Sequence, residues 1–403
     1  MCKCSQRDCE LEVSGNSDKC ILHCEKDDWY RKSEYNNHKD WSMSKDKIEY
    51  FWTEFHKIIR NIQEPFFCNF NYIIFPAVEH CGYIKSDINK IKFLKLEYCD
   101  FLDEINLNFF LDAKSLEINR CEFYANVQFN VKIFEGQFIF QNNIVLKKIN
   151  FDDIEFKDTC SFMKSEFKNE LNFRNVRFND YAVFNNTEIE DLLFRNTFFR
   201  KESNFLNMKL SKVGDRETAR IIKDSFEKQN NIIEANKFYA LEMKEREKEL
   251  DSKKDFFEWL VFKFYGLSAN HSQDWTLVLF WIININFFYS YLNIETNMWM
   301  LAFKILFSLI LILLIGCMIV KIPEDNEKKR WVTTIPITMV CYFFYGYLVE
   351  KDWLLSEYSK NLNPFSIMHA DEAINFGTLL FKIIIAYLIY QLIISIRQNT
   401  RRK

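Results

Sequence analysis

Glycine and proline are scarce in this chain, 8 and 5 among 403 residues. So few glycines leave no loop suited to cradling phosphate, and the patterns GxGxxG, GxxxxGK and GxSxG do not occur. Dinucleotide-binding, P-loop and nucleophile-elbow chemistry lose their usual sequence basis. Neither sign of charge is in excess: the formal net charge is −3, so bulk attraction to nucleic acid is not expected. The opening residues MCKCSQRDCE are polar and hold no apolar signal core, so no secretory leader is expected. No Ser/His/Asp set, paired carboxylates or open metal constellation stands out, and the protein is not expected to be an enzyme.

Phenylalanine is abundant instead, with 42 residues. Leu96, Leu107, Ile118, Phe129, Phe140, Phe151, Phe162, Phe173 and Phe184 recur every eleven residues. A second register of eleven holds Phe123, Phe134, Val145, Phe156, Phe167, Phe178 and Ile189. A third, two residues before the first, holds Ile105, Leu116, Val127, Phe138, Ile149, Cys160, Leu171 and Ala182. Steps of five and six between phenylalanines scatter around an α-helix and do not alternate as in one long strand. A short fixed period of this kind marks a solenoid. Apolar residues two apart face the same side of an extended chain, so each short strand is followed by a corner and the next strand. Stacked ~4.8 Å apart, such coils pair their backbones and bury a column of aromatics.

These residues resemble the pentapeptide-repeat family, in its phenylalanine-rich form that alternates five and six. The resemblance implies a right-handed quadrilateral β-helix with a large apolar residue at the centre of each five and a smaller one two before it. Cys121, Ser165, Val176 and Thr187 fill the smaller slot, while Lys132 and Asn143 depart from it, so the coil is expected to bulge there. Some members are acidic rods that mimic DNA, but residues 91–210 carry 16 Lys and Arg against 19 Asp and Glu, too balanced for that role. Ends of a solenoid need caps. Residues 215–250 have the apolar spacing of two helices turning at Gln229–Asn231, similar to the helical cap that follows the repeats in membrane-bound members.

Four apolar stretches follow, near 275–292, 298–320, 331–349 and 374–396, each long enough to span ~30 Å of hydrocarbon. Basic residues cluster before the first, between the second and third (Lys321, Lys328, Lys329, Arg330) and after the fourth (Arg397, Arg401, Arg402, Lys403). That asymmetry predicts a multi-pass protein of the inner (plasma) membrane with both termini cytoplasmic. Within the spans lie Asn284, Asn286, Lys304 and Lys382; the lysines either snorkel to the nearer surface or line a polar path. Between the last two spans, WLLSEYSKNLNPFSIMHADEAIN resembles the pore-loop layout of two-span potassium channels, and His369, Asp371 and Glu372 could form a charged mouth. The TVGYG-type filter is missing, so potassium selectivity is not implied. The aromatic stretch 255–267 is expected to lie in the membrane interface.

The first 24 residues contain five cysteines in the order C-x-C-x4-C-x10-C-x2-H-C. Cys4, Cys9, Cys20 and His23 have the spacing of a closed tetrahedral site for structural Zn2+, with Cys2 and Cys24 as alternates. The expected layout is a Cys/His module at 1–45 and an N-terminal helix with an irregular cap at 46–90. The β-helix follows at 91–212, then a helical hairpin cap at 213–252 and a juxtamembrane segment at 253–274. Four membrane helices at 275–396 and a basic tail at 397–403 complete it. The expected role is a scaffold or sensor binding another protein through the β-helix; the alternative is an oligomeric channel regulated by that domain.

Overall fold

The structure, a computed structural model, describes residues 3–6, 9, 11–14, 17–32, 39–61, 67–78, 91–106, 114–129, 131–294, 297–320, 327–350, 353, 355–363 and 375–400. They form two compact units, Met1–Asn230 and Asn231–Lys403.

The first unit is a β-solenoid of about six turns. Its seven-stranded sheet stacks Phe67–Asn71, Phe93–Glu97, Ser115–Asn119, Phe138–Gln141, Cys160–Ser161, Ala182–Val183 and Ser203–Asn204, all parallel. A four-stranded sheet stacks Ile133–Phe134, Glu155–Phe156, Arg177–Phe178 and Phe198–Phe199. The remaining two pairing columns merge into one ten-stranded sheet through the long strand Glu166–Arg174.

The phenylalanines of all three registers point inward. Phe129, Phe140, Phe151, Phe156, Phe162, Phe167, Phe173, Phe178 and Phe184 are at most 1% exposed. Rings one coil apart stack face to face, with centroids 4.6 Å apart for Phe129–Phe151 and 4.9 Å for Phe151–Phe173. Phe162–Phe184 and Phe184–Phe205 follow at 5.0 and 5.1 Å. Parallel strands in register favour this stacking, because each ring sits one backbone spacing above its counterpart, although Phe134 and Phe156 meet edge to face.

No bulge forms at Lys132 or Asn143: Ile133 pairs with Glu155 and Ile144 with Glu166 in unbroken step. The register shifts instead between Phe167 and Glu170, opposite Ile189 and Asp191. Asn143 stays in step because its side chain completes a buried ladder. Its Oδ1 accepts from the Cys121 amide at 2.8 Å and its Nδ2 donates to the Ile118 carbonyl at 2.9 Å. One coil on, Ser165 Oγ accepts from the Asn143 amide at 3.2 Å and donates to the Phe140 carbonyl at 3.0 Å. In the column of Cys121, Asn143 and Ser165 the slot therefore suits a side chain that both accepts and donates, while Val176 fills the slot of another column by packing alone.

Corners explain how the coil manages with so little glycine. Asn142, Asp153, Lys164, Asn175 and Asn186 follow one another every eleven residues, with φ between 55° and 59°. Asn and Asp tolerate this left-handed conformation better than other side-chain residues. Neighbouring corners bond to each other, as when Asn175 Nδ2 donates to Asp153 Oδ1 at 2.8 Å.

Both solenoid ends are covered. Helix α1 (Lys45–Asn61) buries Ile48, Phe51, Trp52, Phe55 and Ile59, one face at helical spacing. Phe55 meets Phe70 at 4.9 Å, and Trp52 Nε1 donates to the Ala77 carbonyl at 3.0 Å. The solenoid thus begins at Phe67, inside the stretch expected to be irregular. Partners Phe67 and Phe93 are separated by a longer connection than later coils, so the eleven-residue rhythm does not reach back that far. At the other end, helix α2 (Arg216–Lys228) starts at Asp215, whose side chain accepts from the Thr218 amide. It buries Ala219, Ile222 and Phe226, and Thr218 Oγ1 accepts from the Phe194 amide at 2.8 Å.

The second unit is helical: α3 (Ile232–Glu249), α4 (Phe256–Ala269), α5 (Trp275–Leu292), α6 (Met298–Val320), α7 (Glu327–Tyr345), a π-helical turn at Gly346–Glu350, α8 (Ser356–Leu362) and α9 (Phe376–Thr400). Of the two helices expected to form a hairpin cap, α2 belongs to the first unit and α3 to the second. Among the described residues four helices are long and apolar enough to cross a membrane, over Trp275–Leu292, Met298–Gly316, Trp331–Val349 and Phe376–Gln398. Helix α5 is central. Its Leu277, Val278, Phe280, Trp281 and Ile282 pack with Ala269, Ile315 and Leu388.

Candidate metal centre and polar groups of the apolar helices

Cys4, Cys9, Cys20 and His23 converge, with every ligand atom within 4.8 Å of the others. A bridge between Lys3 and Glu12 holds Cys4 in place, and the amides of His23 and Cys24 close a tight turn on the Cys20 carbonyl. Cys9 Sγ lies 3.7 Å from Cys20 Sγ, and Cys4 Sγ lies 3.6 Å from His23 Nδ1. A tetrahedral ion with bonds of about 2.3 Å to sulfur would set neighbouring sulfurs about 3.8 Å apart. These edges fit such an ion.

The surrounding bonds fit as well. His23 Nε2 lies 3.2 Å from the Asn71 carbonyl, which can only accept, so Nε2 carries the proton and Nδ1 presents its lone pair to the thiols. The Cys20 amide donates to Cys4 Sγ at 3.2 Å. Burial pushes the Cys20 thiol up to about 12 and holds His23 below its ordinary value. Burial also opposes ionisation of Cys4, but the backbone of Cys20 and Gln6 outweighs it and leaves that thiol lowered. Three sulfurs and a neutral imidazole facing one point in a mostly buried site offer soft and borderline donors, the chemistry a metal ion would satisfy. Cys24 stands outside the group, its Sγ directed at the Ile21 carbonyl at 3.7 Å. Cys2 lies outside the described residues. The Ile74 amide donates to the Leu22 carbonyl at 3.0 Å, tying the centre to the first coil.

Beside the centre, Lys26 is 1% exposed, which the sequence did not single out. Its ammonium donates to the carbonyls of Cys24 at 3.0 Å and Leu22 at 3.4 Å and lies 5.0 Å from the Phe51 ring centroid. Burial lowers it to about 8.

Asn284, Asn286, Lys304 and Lys382 each bond to another segment. Asn284 Nδ2 reaches Thr338 Oγ1 at 3.1 Å as well as the Phe280 carbonyl. Asn286 Nδ2 donates to the Tyr358 carbonyl of α8 at 2.9 Å. Lys304 donates to the Ile294 carbonyl at 3.1 Å, and Lys382 donates to the carbonyls of Asn361 and Asn363, each at 2.7 Å. Asn361 Nδ2 reaches Ser290 Oγ at 3.0 Å, and Tyr289 Oη reaches Thr378 Oγ1 at 2.9 Å. No sequence motif marks Ser290, Tyr358 or Asn361, because the contacts depend on where α8 settles. His369, Asp371 and Glu372 lie outside the described residues.

No curated protein and no solved structure matches the chain. Residues 151–197 match the family model described as pentapeptide repeats (9 copies). Those residues are consecutive coils of the stacked phenylalanine core, so the solenoid carries pentapeptide repeats over this stretch.

Proposed function

We propose that the four apolar helices anchor this protein in the inner (plasma) membrane, with both termini cytoplasmic. The solenoid then serves as a cytoplasmic scaffold or sensor surface for another protein. The observation that carries this reading is the filled interior of the solenoid. Its inward side chains are stacked phenylalanines, so recognition falls to the outward residues. The anchor is supported by apolar side chains left on the outside of α6 and α7, among them Trp299 at 91% and Phe343 at 61% exposure. In the N-terminal cluster we place Zn2+. With all four positions filled by protein, the ion would supply folding energy and leave no open position for catalysis.

A second reading, an oligomeric channel, is favoured by one observation: α8 is bonded to both α5 and α9, between the third and fourth apolar helices. Two experiments separate the readings. Alkaline extraction of membranes is expected to leave the full chain in the pellet, and its release would overturn the anchor. Single-channel recording of the full chain in bilayers is expected to be silent, and sustained conductance would replace the scaffold by the channel.

A further inference from the structure

Lys382 sits seven residues into α9 and is 5% exposed. Among the described residues it bonds to no carboxylate; both of its bonds go to backbone carbonyls, Asn361 and Asn363, at 2.7 Å. These carbonyls end the short helix α8, where the peptide dipoles leave partial negative charge. Lys304 differs, with one carbonyl at 3.1 Å and a Tyr291 ring at 5.1 Å.

The carbonyls are held in place without Lys382. Asn286 of α5 bonds the Tyr358 carbonyl, Asn361 bonds Ser290 of α5, and the Tyr358 amide donates to Tyr345 Oη at 3.0 Å. On the same α5 face, Asn286 is 0% exposed and its Oδ1 has no hydrogen-bond partner among the described residues. Among the described residues the Lys382 ammonium thus meets only carbonyl acceptors, and an acceptor-lined apolar site selects a cation.

We infer that the α8 carbonyls and Lys382 form a monovalent-cation site that the protein fills with its own ammonium group. An ammonium and a weakly hydrated alkali ion both accept carbonyl oxygens in place of water. The tethered lysine occupies the cradle and keeps free ions out. This inference does not depend on partner binding by the solenoid, which can fail without affecting it.

The test uses the full chain in detergent or nanodiscs, with K382M as the neutral variant and K382R as the charged control. Thermal unfolding is read in potassium, ammonium and choline chlorides at equal ionic strength. Wild type and K382R are expected to unfold at the same temperature in all three. K382M is expected to unfold several degrees higher in potassium or ammonium than in choline. Equal midpoints for K382M in all three salts would overturn the inference, as would an equal preference in wild type. If K382M does not fold in choline, it and K382Q are purified throughout in potassium or ammonium. Folding only there supports the site, and failure of both variants under every cation overturns it.

Discussion

Replacing Phe162 tests the inward stack most directly. Phe162 is 0% exposed, and its ring centroid lies 5.0 Å from that of Phe184, 5.4 Å from Phe173, 5.5 Å from Phe151 and 5.8 Å from Phe138. A buried phenylalanine removes roughly 150–250 Å² from water, worth about 4–6 kcal/mol at ~25 cal/mol per Å². Alanine retains part of that area but leaves a cavity, so Phe162→Ala is expected to cost about 4 kcal/mol, within the range for such core truncations. With a urea slope of about 2 kcal/mol/M, the midpoint should fall by about 2 M. The assay is urea unfolding of Met1–Asn230 followed by far-ultraviolet circular dichroism. Coils touch only their neighbours, so hydrogen exchange should quicken first around Phe140–Phe184 while the first coil stays protected. Phe198, 63% exposed on an outward strand position, is the control, and its alanine variant should stay within ~0.5 kcal/mol of wild type. Phe162→Asp buries an uncompensated carboxylate and should abolish the β signal. A Phe162→Ala cost below ~1 kcal/mol, or one equal to that of Phe198→Ala, would refute the inward assignment.

Three further outcomes are expected. Elemental analysis of the wild-type chain should find one zinc per molecule, lost in Cys20→Ser and kept in Cys24→Ser; zinc retained by Cys20→Ser would remove that ligand from the set. Asn143→Ala leaves the Cys121 amide and the Ile118 carbonyl without their partner and should cost about 2–4 kcal/mol, whereas Asn143→Ser should recover most of it by bonding as Ser165 does, and equal losses in urea titrations would deny the ladder. Asp100 is raised to about 6 by burial and by Glu122 and Glu25, against the opposing pull of Lys26. Its folded form holds the proton more tightly than the unfolded chain, so the group favours folding at low pH and that contribution is lost as pH rises from about 4 to about 6. After discounting for solvent screening, Asp100→Asn should stabilise Met1–Asn230 at pH 7 by on the order of 1 kcal/mol and change little at pH 4. A stabilisation that is the same at both values would contradict this cause.

The solenoid was readable in advance because its period belongs to the chain. A residue eleven positions on meets the equivalent environment, so the registers from Ile105 to Ile189 name buried positions directly. The rhythm failed where the coil length changes, at the long connection before Phe93 and at the register shift near Glu170. It also misjudged Asn143, since a rule based on size cannot register the column in which Cys121, Asn143 and Ser165 accept and donate in turn. The cluster of Cys4, Cys9, Cys20 and His23 was legible from spacing, because close pairs of donors on tight turns converge locally. The Asn71 carbonyl that orients His23 was not, since a backbone acceptor 48 residues away carries no side-chain signature.

Local periodicity and composition thus determined the repeat, the inward phenylalanines, the four apolar helices and the Cys/His set. The tertiary structure decided what depends on long-range placement. It set the coil at Phe67 beneath α1, the exclusion of Cys24 from the cluster, and the seating of Asn361 and Asn363 against Lys382. Each of these requires two distant segments to meet, and a chain encodes such meetings only through the packing of everything between them.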